Sequence, residues 1–346
     1  MLAAQSKAAE SANAEKSTPN GSWRTIVEPV EPFLEAVHRG LAAQVKEFDP
    51  GIAPYAEYAL TGNGKHLRPT LVALSANSLG KLTEAHVTVA VIIEMVHLAT
   101  LVHDDVMDEA EIRRGRLTLA ANWGNEVAVL FGDCLFAHAL KLAAGFPTPD
   151  ICRAVSSATN TVCSGEILQT QHRRDFARSR KDYFRVLEMK TGELFGLSCE
   201  LAARLSDASE VQREGLRRFG MAFGAAYQVY DDCVDLFGVE SEAGKSLGTD
   251  LAKGKLTLPL LMAYERATAA ERVELDGMVK DWKPEMFSRV TDFLARYQTF
   301  KPSLEVIQRY MAEAREALGL LPASEGKAGL LGLTEFLHHQ TEALAD

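Results

Sequence analysis

Proline is missing from the stretches where it would do most damage to a helix. The 12 prolines sit at 19, 29, 32, 50, 54, 69, 147, 149, 259, 284, 302 and 322, so none falls in 70–146 or 150–258. Proline removes a backbone donor and clashes with the preceding turn, and proline-free stretches of this length suit long helices. Sustained apolar–polar alternation bounded by turn signals is also missing, so no strand is expected. No uninterrupted apolar run reaches the roughly 18 residues that a membrane-crossing helix requires, and no transmembrane segment is expected. Basic residues are in deficit, 37 against 47 acidic for a net charge of −10, which argues against nonspecific nucleic-acid binding. Cysteines are few (134, 152, 163, 199 and 233) and form no Cys-x-x-Cys, the usage expected of reduced thiols in the cytoplasm. Residues 1–22 have almost no large apolar side chains. They lack the core of a secretory signal, and with Glu10, Glu15 and no arginine they fit a transit peptide poorly. A disordered tail is expected there.

Apolar content is ample. The chain is 47% hydrophobic over 346 residues, enough for a large core. Apolar residues recur at three and four, as in Val87, Val91, Met95, Leu98 and Val102. Helices are expected near 30–46, 54–60, 69–79, 83–108, 122–144, 150–172, 180–204, 208–237, 257–265, 270–280, 286–298, 301–318 and 330–343. Loops are expected at 109–121 and 238–256, the latter rich in glycine. No linker divides the chain, so the expected fold is all-α: residues 23–346 as one bundle of about 10–13 helices around a central cavity.

Two aspartate clusters break this apolar background, Asp104-Asp105-Val106-Met107-Asp108 and Asp231-Asp232-Cys233-Val234-Asp235. A charge in an apolar helix is costly unless compensated. Residues i and i+4 share a helix face, so each cluster pairs two carboxylates about one turn apart. At about 4 Å such a pair repels by about 1 kcal/mol in water and about 4 kcal/mol at an effective dielectric of 20. A hard divalent cation reverses the sign, and Mg²⁺ brings phosphate oxygens with it. A solvated acidic face is the plain alternative, but the neighbours Leu101, Val102, Val229, Leu236 and Phe237 are apolar. Cys233 reads as helix packing.

Basic groups accompany the clusters. Gly62-Asn63-Gly64-Lys65-His66-Leu67-Arg68-Pro69 is a glycine-bearing turn before a helix, suited to an anion or simply a surface turn. Arg113-Arg114-Gly115 opens the loop after Asp108, as a phosphate clamp or a charged loop. Lys190-Thr191-Gly192 lies in the helix beginning near Arg180, and Gly244-Lys245 and Gly254-Lys255 flank the loop after the second cluster. Gln228 is one turn before Asp232. His97 is two turns before Asp104, as a ligand or a core histidine.

These blocks together resemble the trans-isoprenyl diphosphate synthases, the polyprenyl synthetase family. The resemblance rests on Glu94 to Asp108 with Arg113-Arg114-Gly115, on Tyr227 to Asp235, and on Gly244-Lys245 through Gly248-Thr249-Asp250-Leu251 to Gly254-Lys255-Leu256-Thr257-Leu258-Pro259. Gly64-Lys65, Arg68-Pro69 and Lys190-Thr191 complete it, over roughly residues 30–320. Asn63 and His66 stand where the family often has glycine and arginine, and Leu256 where it often has proline.

The resemblance implies the isoprenoid synthase fold and head-to-tail condensation of an allylic diphosphate with isopentenyl diphosphate. It implies Mg²⁺, three ions per site, held by Asp104, Asp108 and Asp231 directly and by Asp105, Asp232 and Asp235 partially or through water. Arg113, Lys190 and Lys255 would grip the allylic diphosphate, with Lys245 flanking. Lys65, Arg68, His97 and Arg114 would hold isopentenyl diphosphate. Gln228 and Thr191 would place oxygen dipoles at the developing cation, and released pyrophosphate would take the final proton. Product length would be set below the first cluster at Ala99, Thr100 and Val96, with Phe136 and Leu140 as the floor. Small groups at 99 and 100 imply a product of about C25 or longer; close helix packing is the plain alternative for Ala99. A farnesyl or geranylgeranyl synthase and a non-catalytic subunit are the rival readings. A homodimer, a cytoplasmic setting and transient membrane contact for product release are also implied.

Overall fold

The computed structural model describes residues 22–62, 64–240 and 247–344. Among them the chain is all-α, in one domain, with helices α1 (Trp23–Val27), α2 (Glu31–Gln44), α3 (Ala53–Leu60), α4 (Leu67–Ser78), α5 (Glu84–Met107), α6 (Leu119–Trp123), α7 (Asn125–Ala144) and α8 (Asp150–Gln171). These are followed by α9 (Arg180–Leu187), α10 (Glu193–Leu205), α11 (Glu210–Phe237), α12 (Thr249–Ala252), α13 (Leu258–Arg266), α14 (Ala269–Lys280), α15 (Phe287–Arg296), α16 (Phe300–Ala317) and α17 (Glu325–Ala343).

The helix starts follow local chemistry. Thr83 and His86, Ser179 and Asp182, Ser209 and Gln212, and Thr268 and Glu271 form reciprocal capping pairs at α5, α9, α11 and α14, each satisfying donors that a helix leaves orphaned. Helix α5 lies at the centre, packed on α2, α4, α7 and α10. Helix α11 crosses α10 with almost no gap, because a Cβ on Gly220 would meet the Phe195 carbonyl oxygen at 2.4 Å. Helix α17 lies as close on α4: a Cβ on Gly326 would be 2.5 Å from the Leu74 carbonyl oxygen.

Three expectations change. The 109–121 loop contains a hairpin, Ile112–Arg113 against Arg116–Leu117. Its two-residue turn has positive φ at Arg114 (52°) and Gly115 (72°), the geometry hairpin turns favour, but strands of two residues are too short to show alternation. The 238–256 loop contains α12. The single helix expected at 180–204 is interrupted by a π-helical turn, Glu188–Gly192, a feature that local composition does not encode. By length and mean composition α5 and α7 would each suffice to cross a membrane, although neither holds an unbroken apolar run. Most of that stretch of α5 is buried in the bundle, whereas α7 is only 39% buried and exposes Val129 and Leu130.

Candidate active site

Helices α5 and α11 bring the two aspartate clusters to one cavity of about 1130 Å³. Asp104 and Asp231 line it, together with Lys65, Arg68, His97, Arg113, Arg114, Lys190, Thr191 and Gln228. The other four carboxylates are held by their own chain. Asp105 is buried and accepts from Arg113 Nε at 2.6 Å. Asp108 closes α5 and meets three cations: Arg173 Nη2 at 2.9 Å, Lys255 Nζ at 2.8 Å and Lys253 Nζ at 3.2 Å. Burial would raise its carboxyl, but Lys255 and Lys253 override this and hold it below the usual range. The lysines arrive there because the Arg174 amide donates to the Gly254 carbonyl at 2.7 Å, pinning the loop to the end of α8.

Asp232 faces a small adjoining cavity with Lys255 and Asp250. It accepts from Tyr183 Oη at 2.6 Å and Gln228 Nε2 at 2.9 Å. Burial, reinforced by Asp250, pushes its carboxyl up to about 8 despite those donors. Asp235 is fully buried and secures the loop after α11: it accepts from Thr249 Oγ1 at 2.7 Å and from the backbone amides of Thr249 and Asp250. Among the described residues no three His, Cys, Asp or Glu side chains converge to hold an ion unaided. Asp104 and Asp231 on the cavity wall amid basic side chains fit Mg²⁺, which is bound through one or two carboxylates plus substrate phosphates rather than a protein cage.

The π turn places Lys190 and Thr191 side by side on the cavity wall. Lys190 pairs with Glu166, donates to Gln169 Oε1 at 3.0 Å and lies 3.5 Å from Asp104. Thr191 Oγ1 donates to Gln228 Oε1 at 2.9 Å. At the other end, burial lowers the Arg68 guanidinium to about 10, and its plane lies 4.7 Å from the Phe195 ring. Burial, with Arg68 close by, holds His97 well below the usual imidazole value, so it is neutral at pH 7 and acts as a hydrogen-bonding group rather than a cation. Glu94, 3% exposed, lies 3.4 Å from His66.

Lys245 falls outside the described residues. Thr100 and Phe136 line the cavity, whereas Ala99, Val96 and Leu140 do not. Ala99 and Val96 are buried in the core instead. The reason is angular. At about 100° per residue, position 99 points about 140° away from Asp104, while 100 and 97 stay within about 40°. Ala99 therefore serves close packing and is not a wall of the cavity. The outer wall is formed by Val129, Val162, Cys163 and Ile167. Sequence reasoning missed Glu94, Glu166, Gln169, Arg173, Tyr183 and Lys253. The spacing of Glu166 and Gln169, one helical turn apart, carried a signal; the pairings of Arg173 and Tyr183 depend on the packing of distant elements.

Comparison with known proteins agrees with this geometry. The polyprenyl synthetase family pattern matches residues 50–295. The chain is 33% identical over 304 residues to octaprenyl diphosphate synthase of Haemophilus influenzae, covering 88% of this chain and 92% of that protein. It is 35% identical over 315 residues to nonaprenyl diphosphate synthase of Mycobacterium tuberculosis, covering 88% and 93%. The crystal structure of polyprenyl synthase from Caulobacter crescentus CB15, complexed with calcium and isoprenyl diphosphate, superposes with a TM-score of 0.86 at 30% identity, covering 93% of this chain and 98% of that one. The chain belongs to the polyprenyl synthetase family.

Proposed function

We propose that the chain is a Mg²⁺-dependent prenyltransferase that condenses an allylic diphosphate with isopentenyl diphosphate, head to tail, to a trans-polyprenyl diphosphate of about C25 or longer. The observation that carries this reading is one cavity with Asp104 and Asp231 on its walls, basic groups around them, and an apolar flank running past Thr100 to Phe136 and Val162. Three Mg²⁺ ions, held directly by Asp104, Asp108 and Asp231 and partially or through water by Asp105, Asp232 and Asp235, would supply Lewis acidity that makes diphosphate a leaving group. Lys190, Arg113 and Lys255 hold the allylic diphosphate. Arg68, Arg114 and Lys65 hold the isopentenyl diphosphate by charge, and neutral His97 holds it by a hydrogen bond. The Thr191 proton is committed to Gln228, so its oxygen lone pairs face the carbon that becomes cationic.

The long-chain reading is supported by the modest side chain at Thr100, and by relatives that bear octaprenyl and nonaprenyl names. Pairing of two copies is supported by the apolar Leu130 left 65% exposed on α7. The five cysteines are unpaired, which supports a cytoplasmic setting, with membrane contact only when product leaves. Residues 23–346 as the catalytic domain complete the proposal; of the tail expected at 1–22, residues 1–21 lie outside the described residues, and Ser22 caps α1.

The test is incubation with labelled isopentenyl diphosphate and geranyl, farnesyl or geranylgeranyl diphosphate, with and without EDTA. Chromatography of the dephosphorylated lipid should show products of C25 or more that vanish with EDTA. No lipid from any primer, or products ending at C15 or C20, would overturn the respective part of the reading.

A further inference from the structure

Helix α1 has five residues, too few to hold itself together in water, so its place is set by what it docks on. Ser22 caps its first turn through the Thr25 amide, at 3.3 Å. Ile26 is buried and reaches α17 at Gly332, where a Cβ would meet Ile26 Cγ1 at 3.1 Å. Helix α17 in turn lies against α4, with Gly326 and Gly329 touching Leu74. The start of α4 is the turn that carries Lys65 and Arg68. The two helices at opposite ends of the described chain are thus fixed, one on the other, against α4, the helix that follows the turn at the basic end of the cavity.

This docking delivers one aromatic ring to the cavity wall and sets a second behind it. Trp23 on α1 lines the cavity, and its ring lies 5.9 Å from that of Phe336 on α17, tilted by 55°. The Lys65 ammonium stands 5.9 Å from the centre of the Phe336 ring. Lys65 is exposed, and a free lysine side chain samples many rotamers. An aromatic face close to an ammonium attracts it and narrows that sampling.

We infer that Trp23, braced against Phe336, is a positioning residue for isopentenyl diphosphate: the aromatic pair fixes the Lys65 ammonium at the cavity rim and closes that end over the bound diphosphate. The inference rests on the proposed prenyltransferase reading and deepens it. Trp23 takes no part in bond making. Its contribution is to binding of one substrate only, because Lys190 and Asp104 belong to a different part of the wall.

Of the three tryptophans, Trp23 lines the cavity, whereas Trp123 and Trp282 do not. Titration of isopentenyl diphosphate with Mg²⁺ and no primer should therefore change tryptophan emission saturably in the wild-type protein. Trp23→Phe should abolish the optical change yet keep KM for isopentenyl diphosphate within about twofold. Trp23→Ala should raise that KM by about tenfold, with KM for the allylic primer and kcat within about twofold. An emission change that survives in Trp23→Phe, or a Trp23→Ala variant with unchanged KM or with both KM values raised equally, overturns the inference. If Trp23→Ala does not fold, the Trp23→Phe titration decides. Wild-type protein that responds optically but forms no lipid would sink the enzymatic reading alone, whereas active protein with an indifferent Trp23 would sink this inference alone.

Discussion

One chemical change, glycine to alanine in a helix, should have opposite effects at two positions. At Gly277 on α14 nothing lies within 4 Å of a new Cβ, and the residue is exposed. Alanine there gains helix propensity of about 1 kcal/mol and nothing opposes it. At Gly220 on α11 the same Cβ would lie 2.4 Å from the Phe195 carbonyl oxygen, 2.7 Å from its carbon and 2.8 Å from Gly196 Cα. These are backbone atoms of α10 and cannot rotate away, so the two helices must separate. Overpacking typically costs about 1–3 kcal/mol, and a backbone clash belongs at the upper end. After the propensity gain of about 1 kcal/mol, Gly220→Ala should lose about 2 kcal/mol net. For a chain of this size that corresponds to a Tm lower by roughly 3 °C, against a rise of roughly 1.5 °C for Gly277→Ala. Thermal unfolding followed by circular dichroism, at one protein concentration, would read both. Because α11 also carries Asp231, kcat should fall in Gly220→Ala and stay level in Gly277→Ala. Equal shifts of the same sign, or a Gly220→Ala protein as stable as wild type, would refute the close-crossing account.

Three further outcomes are expected. Asp104→Ala or Asp231→Ala should lower turnover by orders of magnitude while the melting curve stays near wild type; unchanged steady-state rates in a folded variant would remove these carboxylates from the metal site. Thr100→Phe should shift products to shorter chains, because position 100 lines the cavity, whereas Ala99→Tyr should destabilise the fold by overpacking the core; chromatography and thermal melts separate the two. Burial would raise the Glu94 carboxyl, but the His66 ring beside it and the Arg68 guanidinium override it and hold it at about 2. A carboxyl held below its unfolded value stabilises above about pH 4.5 and loses that contribution as pH falls towards 2. Glu94→Gln should therefore be less stable than wild type above about pH 4.5, with the gap closing below that pH; a pH-independent gap in urea titrations would argue against a charged Glu94.

The helices and the two aspartate clusters could be read from the sequence because their signals are local. Proline gaps, apolar spacing and three carboxylates within five residues need no knowledge of the rest of the chain. Thr100 and His97 were legible for the same reason, by counting turns back from Asp104. Ala99 was misread because an adjacent number was taken for an adjacent face. Other features are settled only by packing. Asp108 meets Lys253 and Lys255 across a sequence separation of 147 residues for the latter, and Tyr183 reaches Asp232 across 49. The π turn at 188–192 is set by how α8 and α11 press on it, and its composition is that of an ordinary helix.

The contact between α4 and α17 has a consequence in time. Ser324 donates to the Ser78 carbonyl from 246 residues further along the chain, and α17 then covers the face of α4 behind the Lys65–Arg68 turn. A ribosome adding about 5–20 residues per second needs roughly 12 to 50 seconds to cover that interval. Through that wait the apolar flank of α4 stays without its cover and is a natural surface for a chaperone. The Lys65–Arg68 turn, among the first parts of the cavity to be synthesised, is therefore among the last to be finished.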